Sequence, residues 1–172
     1  MDISAKPAPS EYALYFGTYI NLVPEGSIVA ILTEQLAATA AFYRDIPEEK
    51  SLLRYAPGKW SLKETLLHII DAERIFSYRA LRFARNDSTP LPGFEQDDYV
   101  AASHADGREW NSLIEEFEVV RGATIALFES LSGEEWMRRG TSSGVEISVR
   151  ALAYAIAGHV IHHQAIIERH YL

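Results

Sequence analysis

NDSTPLPGFEQDDYVAASHA, Asn86–Ala105, is the stretch that decides how this chain folds. It separates two helical patterns and is about 20 residues long, against the 2 to 8 that usually join neighbouring helices. A link of this length can cross a whole bundle, so the helices on either side of it are free to run parallel.

Before the link, Ser61 and Glu64 in WSLKE form a capping box, in which each side chain satisfies a free amide of the first turn. This predicts a helix from Leu62 to about Arg85. After the link, Asp106 and Glu109 in HADGREW predict a similar start for a helix with the apolar stripe Trp110, Leu113, Phe117, Val120, Thr124, Leu127 and Leu131, closed by Gly133. An earlier helix is expected from Ile28, capped by Ser27 and ending near Asp45 and Pro47, with Ile28, Leu32, Leu36, Thr39 and Tyr43 on one side. A last one is expected from near Ser148 almost to the C-terminus, with Leu152, Ile156, Ile166 and Ile167 inward. GVEISV, Gly144–Val149, alternates over too few residues to predict more than an extended linker. The expectation is an all-α four-helix bundle forming one domain over residues 1–172, a length sufficient for a real core.

The last helix carries GHVIHHQAIIERH, Gly158–His170, which holds four of the six histidines. His159 and His163 lie one turn apart on one face; His162 is rotated off that line by about 60°, and His170 stands two turns beyond His163. Such a pair reads as a metal site or as two histidines at buried polar positions. His68 interrupts the apolar run Leu66–Ile70 and should point at least partly inward, where alone it reads as a satisfied core imidazole.

Depth along the helices brings the two readings together. His68 lies ~10 Å from the start of its helix, and His163 ~10 to 13 Å from the end of its own. In an up-down-up-down bundle these helices would be parallel and the histidines offset by roughly 8 to 14 Å. With the long link as a crossover between helices two and three, the order becomes up-down-down-up, helices two and four are antiparallel, and His68 meets His159 and His163. The linker around Phe94, Glu95 and Tyr99 should then border the histidines.

Composition limits what such a site could do. Cysteine is absent, which removes disulfides, thiolate ligands and a cysteine nucleophile. A net charge of -8, with Arg74, Arg79, Arg82, Arg85, Arg138 and Arg139 scattered among acids, argues against a nucleic-acid partner. The N-terminus has no apolar signal region, and no segment approaches the roughly 18 apolar residues of a membrane span, so a soluble, cytoplasmic protein without a membrane partner is expected.

The segments PGKWSLKETLLHIIDAE, Pro57–Glu73, LPGFEQDDYV, Leu91–Val100, and GHVIHHQAII, Gly158–Ile167, resemble the DinB-like (YfiT-like) metalloenzymes, with similarity from roughly Tyr12 to the C-terminus. The resemblance implies a four-helix bundle with one histidine on helix two and an H-x-x-x-H pair on helix four binding a divalent metal. Carried over, the ligands are His68, His159 and His163. Relatives in that family include thiol-dependent S-transferases and a thiol-dependent isomerase, and dimers are common among them, so a homodimer is expected.

Other metalloprotein patterns fit poorly. A di-iron bundle would need Glu-x-x-His on two helices, and Glu64 to His68 has the wrong spacing. His159-Val160-Ile161-His162-His163 lacks the glutamate of a zincin. Three imidazoles leave open coordination positions, as catalytic sites do, and suit zinc or nickel, with iron and manganese also compatible. Asp71, one turn after His68, is a candidate to orient it or to act as a catalytic base, against the alternative of a solvated carboxylate. Tyr12, Tyr15 and Tyr19 are candidates to wall a pocket. Three functions follow: a metal-dependent transferase joining a low-molecular-weight thiol to an electrophilic small-molecule substrate, a hydrolase using metal-bound hydroxide, or a non-catalytic metal-binding protein.

Overall fold

Ser27, Ser61 and Ser148 each accept the backbone N–H three residues on, and so fix where three of the long helices begin. The computed structural model describes residues 5–172; the first four residues of the expected 1–172 domain lie outside the described residues. In chain order come α1 (Gly17–Ile20), α2 (Ile28–Arg44), α3 (Leu62–Ala84), α4 (Gln96–Ala102), α5 (Trp110–Glu129), α6 (Gly133–Met137), the hairpin strands β1 (Arg139–Ser142) and β2 (Val145–Ser148), and α7 (Val149–His170). The long helices α2, α3, α5 and α7 form the bundle.

Contacts at the helix ends give the directions. Tyr171, after α7, donates to the Trp60 carbonyl just before α3, while Arg138, ahead of α7, donates to the carbonyl of Ala84 at the end of α3; these two helices are antiparallel. Lys63 reaches the Arg108 carbonyl and Ser77 meets Thr124, so α3 and α5 are parallel. The Trp110 indole donates to the carbonyls of Tyr43 and Ile46, setting α2 against α5, while Tyr154 to Gly26 and Gln164 to Thr39 set α2 beside α7 in the same direction. The order is up-down-down-up, which the long Asn86–Ala105 link allows and the matched depths of His68 and His163 predict. That link runs the length of the bundle, pairs Leu91 with Ser142, and coils into α4 on the way.

Three local expectations need correction. Asp106 does not cap the third long helix; it sits in a 3-10 turn, accepts from Ser61 and pairs with Arg54, and Glu109 takes the cap position without a side-chain bond. Gly133 does not close that helix, which ends at Glu129, but opens α6 under a Ser132–Glu135 capping box. Gly144–Val149 is not a bare linker: Val145–Ser148 pairs antiparallel with Arg139–Ser142, because Ser143 (φ 52°) and Gly144 (φ 76°) adopt the left-handed pair that closes a two-residue hairpin.

The chain ahead of α2 lies across the bundle. Gly158 permits this, since a Cβ there would stand 2.1 Å from the Tyr19 carbonyl oxygen. In an open helix Gly→Ala gains about 1 kcal/mol. Here Gly158→Ala should instead destabilise by about 1 to 3 kcal/mol in urea unfolding, because backbone must move. A gain in stability would show that Tyr19 is not seated against α7.

Candidate metal centre

His68 is placed by the second turn of α3, and His159 and His163 by successive turns of α7; helix periodicity turns all three toward the seam between these antiparallel helices. The His68 and His163 Nε2 atoms lie 3.1 and 3.0 Å from His159 Nε2. The three rings offer ligand atoms within 4.8 Å of one another and are 4 to 9% exposed. Burial drives the imidazoles toward the neutral form, His68 down to about 4, His163 to about 3 with added repulsion from His68 and His162, and His159 well below its ordinary value.

A divalent ion fits this donor set. Two nitrogens bound at 2.0 to 2.1 Å to one ion stand roughly 2.9 to 3.4 Å apart for angles between octahedral and tetrahedral. The observed spacings lie in that range. A neutral Nε2 carries either one proton or one lone pair, so His159 Nε2 can hydrogen-bond to one of its two neighbours and not to both. Among the described residues none of the three rings hydrogen-bonds to a carboxylate; packing fixes them instead. Trp60 tilts over His68 with ring centroids 4.7 Å apart, Tyr19 presents an edge to His159 at 5.2 Å, and Phe76 approaches His159 at 6.2 Å.

Two cavities reach the cluster. One of about 410 Å³ touches His68 and His159 and is walled by Tyr15, Tyr19, Phe76 and Phe94; the other, about 350 Å³, touches His163 beside Trp60 and Tyr171. Gln96 borders both. The crossover therefore does supply the roof: Phe94 and Glu95 line the larger cavity. Tyr99 does not, packing on Phe94 at 5.2 Å over a separate hollow.

Other expected participants are placed differently. Asp71 pairs with Arg74 at 3.3 Å on the side facing Glu116 of α5, where burial raises its pKa against the pull of Arg74, and it lines neither cavity. Rotation explains it: three residues at 100° leave Asp71 about 60° off the His68 line. Tyr15 and Tyr19 wall the larger cavity, joined by their hydroxyls at 2.7 Å, but Tyr12 packs on the core instead. His162 lies outside the trio with its ring against Tyr19, and His170 stacks on Tyr55. Arg79, read from the sequence as one of the scattered cations, is 3% exposed and lines the larger cavity; its position on the His68, Ala72, Phe76 stripe was the available signal.

With the geometry in view, comparison with known proteins places the chain. A family model described as the DinB superfamily matches residues 31–167. No curated protein matches the sequence. Among solved structures, YfiT from Bacillus subtilis, described as "a probable metal-dependent hydrolase with an unusual four-helix bundle topology", is 13% identical, covers 98% of each chain and superposes with a TM-score of 0.66. A mycothiol-dependent maleylpyruvate isomerase is 11% identical over 84% of this chain, with a TM-score of 0.68; the match spans 61% of the isomerase. A DinB-like protein of Bacillus subtilis, YjoA, is 18% identical over 83% of this chain and 87% of its own, with a TM-score of 0.60. At these identities the likeness is one of fold.

Proposed function

Because the chain belongs to the DinB superfamily, we propose that His68, His159 and His163 hold one divalent ion, zinc or nickel by the character of the donors, and that the protein joins a low-molecular-weight thiol to an electrophilic small molecule. The observation that carries this reading is three buried, neutral imidazole nitrogens converging at two cavities in a chain with no cysteine. A bound divalent ion lowers the pKa of a thiol or water by several units and so supplies a nucleophile at neutral pH.

The chain's own residues perform the rest. The histidines fix the reacting centre, and Trp60, Tyr19 and Phe76 hold the rings and keep the surroundings apolar. The two cavities give thiol and electrophile separate approaches. The sulfur forms a bond to the electrophilic carbon, the leaving group departs with its electron pair, and the thiol proton passes to water. The isomerase among the similar structures, which by its name uses mycothiol, supports a thiol partner. Hydrolysis is the second reading, favoured by the description of YfiT. Its weakness here is the lack of an enclosed base: Asp71 lies outside both cavities, and the carboxylates that line them, Glu95 in the larger and Asp97 in the smaller, are exposed.

The test is turnover of electrophiles by zinc- or nickel-loaded protein in the presence of bacillithiol, mycothiol or glutathione. Conjugation should require both thiol and ion and fall to background on chelation. Cleavage of esters or amides without thiol, and no conjugation with any pair, would move the assignment to hydrolase. Blank screens together with a chelator-lowered melting temperature would assign the ion a structural role.

A further inference from the structure

Three arginines in this chain are nearly or fully buried, and two of them have a carboxylate. Arg121 is clasped by Glu73 through two bonds of 2.8 Å, and Arg150 is bonded to Glu11. The third, Arg79, is 3% exposed and forms no ion pair with any described residue, although the chain carries 24 acids. Its Nη2 donates to the Pro92 carbonyl at 2.9 Å and to Ser143 Oγ at 3.2 Å. Among the described residues, Nε and Nη1 have no hydrogen-bond acceptor. Arg79 therefore carries its charge without an anion among the described residues, and with Nη2 engaged its Nε–H and Nη1–H each offer a charge-assisted bond to a carboxylate oxygen.

Its position gives the guanidinium a use. Arg79 lines the larger cavity, about three turns along α3 from His68 on the same stripe, with the ring centroids of Phe76 and Phe94 each 5.9 Å from its guanidinium carbon. Side chains on a helix lean toward its N-terminus, so the guanidinium is carried back toward the histidines and the remaining gap is on the order of 10 Å. A carboxylate seated on Arg79 would leave the rest of a small molecule lying along Phe76 toward the histidine cluster.

We infer that Arg79 is the recognition residue for a carboxylate, and that the larger cavity takes a small monocarboxylate with a flat or apolar body whose opposite end reaches His68 and His159. The inference deepens, and rests on, the assignment of this cavity as the reaction site. Either reactant could carry the carboxylate, the electrophile or the thiol; the recognition chemistry is the same.

The experiment is calorimetric titration of chelator-treated protein with benzoate and with its neutral counterpart benzamide, so that binding is read without an ion or turnover. Benzoate should bind about tenfold or more tightly than benzamide, and Arg79→Met should lose that preference while binding as much zinc as the unsubstituted protein. Ser143→Ala, which removes a bond to Arg79 but keeps the charge, should retain it. A parallel titration of zinc-loaded protein with 3-mercaptopropionate and its neutral counterpart 2-mercaptoethanol tells which reactant carries the group; an Arg79-dependent preference for 3-mercaptopropionate alone assigns it to the thiol and upholds the inference. Both preferences are measured in unsubstituted protein, so their absence overturns the inference even if Arg79→Met does not fold, and Arg79→Lys, which keeps the charge, then serves as the second variant, expected to weaken the preference. Equal binding of charged and neutral members in both series, no saturable binding of any carboxylate, or a preference that survives in folded Arg79→Met would each overturn it. Carboxylate preference in a protein that takes up no zinc would sink the metal assignment and leave this one standing.

Discussion

Protein carrying His159→Ala should retain no stoichiometric divalent ion, whereas the unsubstituted chain should hold about one per molecule. His159 is the hub of the cluster, with the other two Nε2 atoms 3.1 and 3.0 Å from its own. Its loss leaves His68 and His163 on different helices without the nitrogen between them. Changes to groups that merely support ligands cost 10- to 100-fold in metal affinity, so removal of this ligand should cost more than about a hundredfold. His68→Ala should also weaken binding severely, and His162→Ala should leave it largely intact, since the His162 ring packs against Tyr19 outside the trio. Elemental analysis of protein purified without metal-affinity steps checks all three. Full metal content in His159→Ala would remove the site as assigned.

The largest effect on stability is expected at Arg121. Its side chain is fully buried, forked onto Glu73 and bonded to Gln35 at 3.0 Å, and Gln35 in turn reaches the Ala157 carbonyl at 3.1 Å. The chain of bonds links α5, α3, α2 and α7 close to His159. Arg121→Met should cost about 3 to 5 kcal/mol in urea unfolding, because it strands the Glu73 carboxylate without a counter-charge. Replacing Glu73 by methionine as well should recover much of the loss, since two apolar side chains need no partner. A single-variant loss under about 1 kcal/mol would show that water reaches Glu73.

What the sequence made legible followed from local rules with few competitors. Ser27, Ser61 and Ser148 mark helix starts because a hydroxyl ahead of an apolar periodic segment has one favourable use. The length of the Asn86–Ala105 link allowed the crossover, and the matching depths of His68 and His163 on their helices selected it, bringing His68, His159 and His163 together. Asp106 misled because its carboxylate has a better partner far away in sequence, Arg54 beside Ser61, and no local pattern reports that competition. The hairpin at Arg139–Ser148 is too short for periodicity and depends on the Ser143–Gly144 turn. Asp71 was chosen by proximity along the chain, whereas helical rotation directs it toward Arg74. Arg79 was passed over because charge in a sequence reads as surface; its place on the His68, Ala72, Phe76 stripe signalled an inward position, and the packed bundle adds that it has no carboxylate partner among the described residues.

Anomalous diffraction at the metal edge from crystals grown with zinc would locate the ion itself. One peak should appear per chain, within about 2.0 to 2.1 Å of the Nε2 atoms of His68, His159 and His163, with at least one remaining position open toward a cavity. A peak held by other side chains, or none at this cluster at saturating zinc, would contradict the assignment.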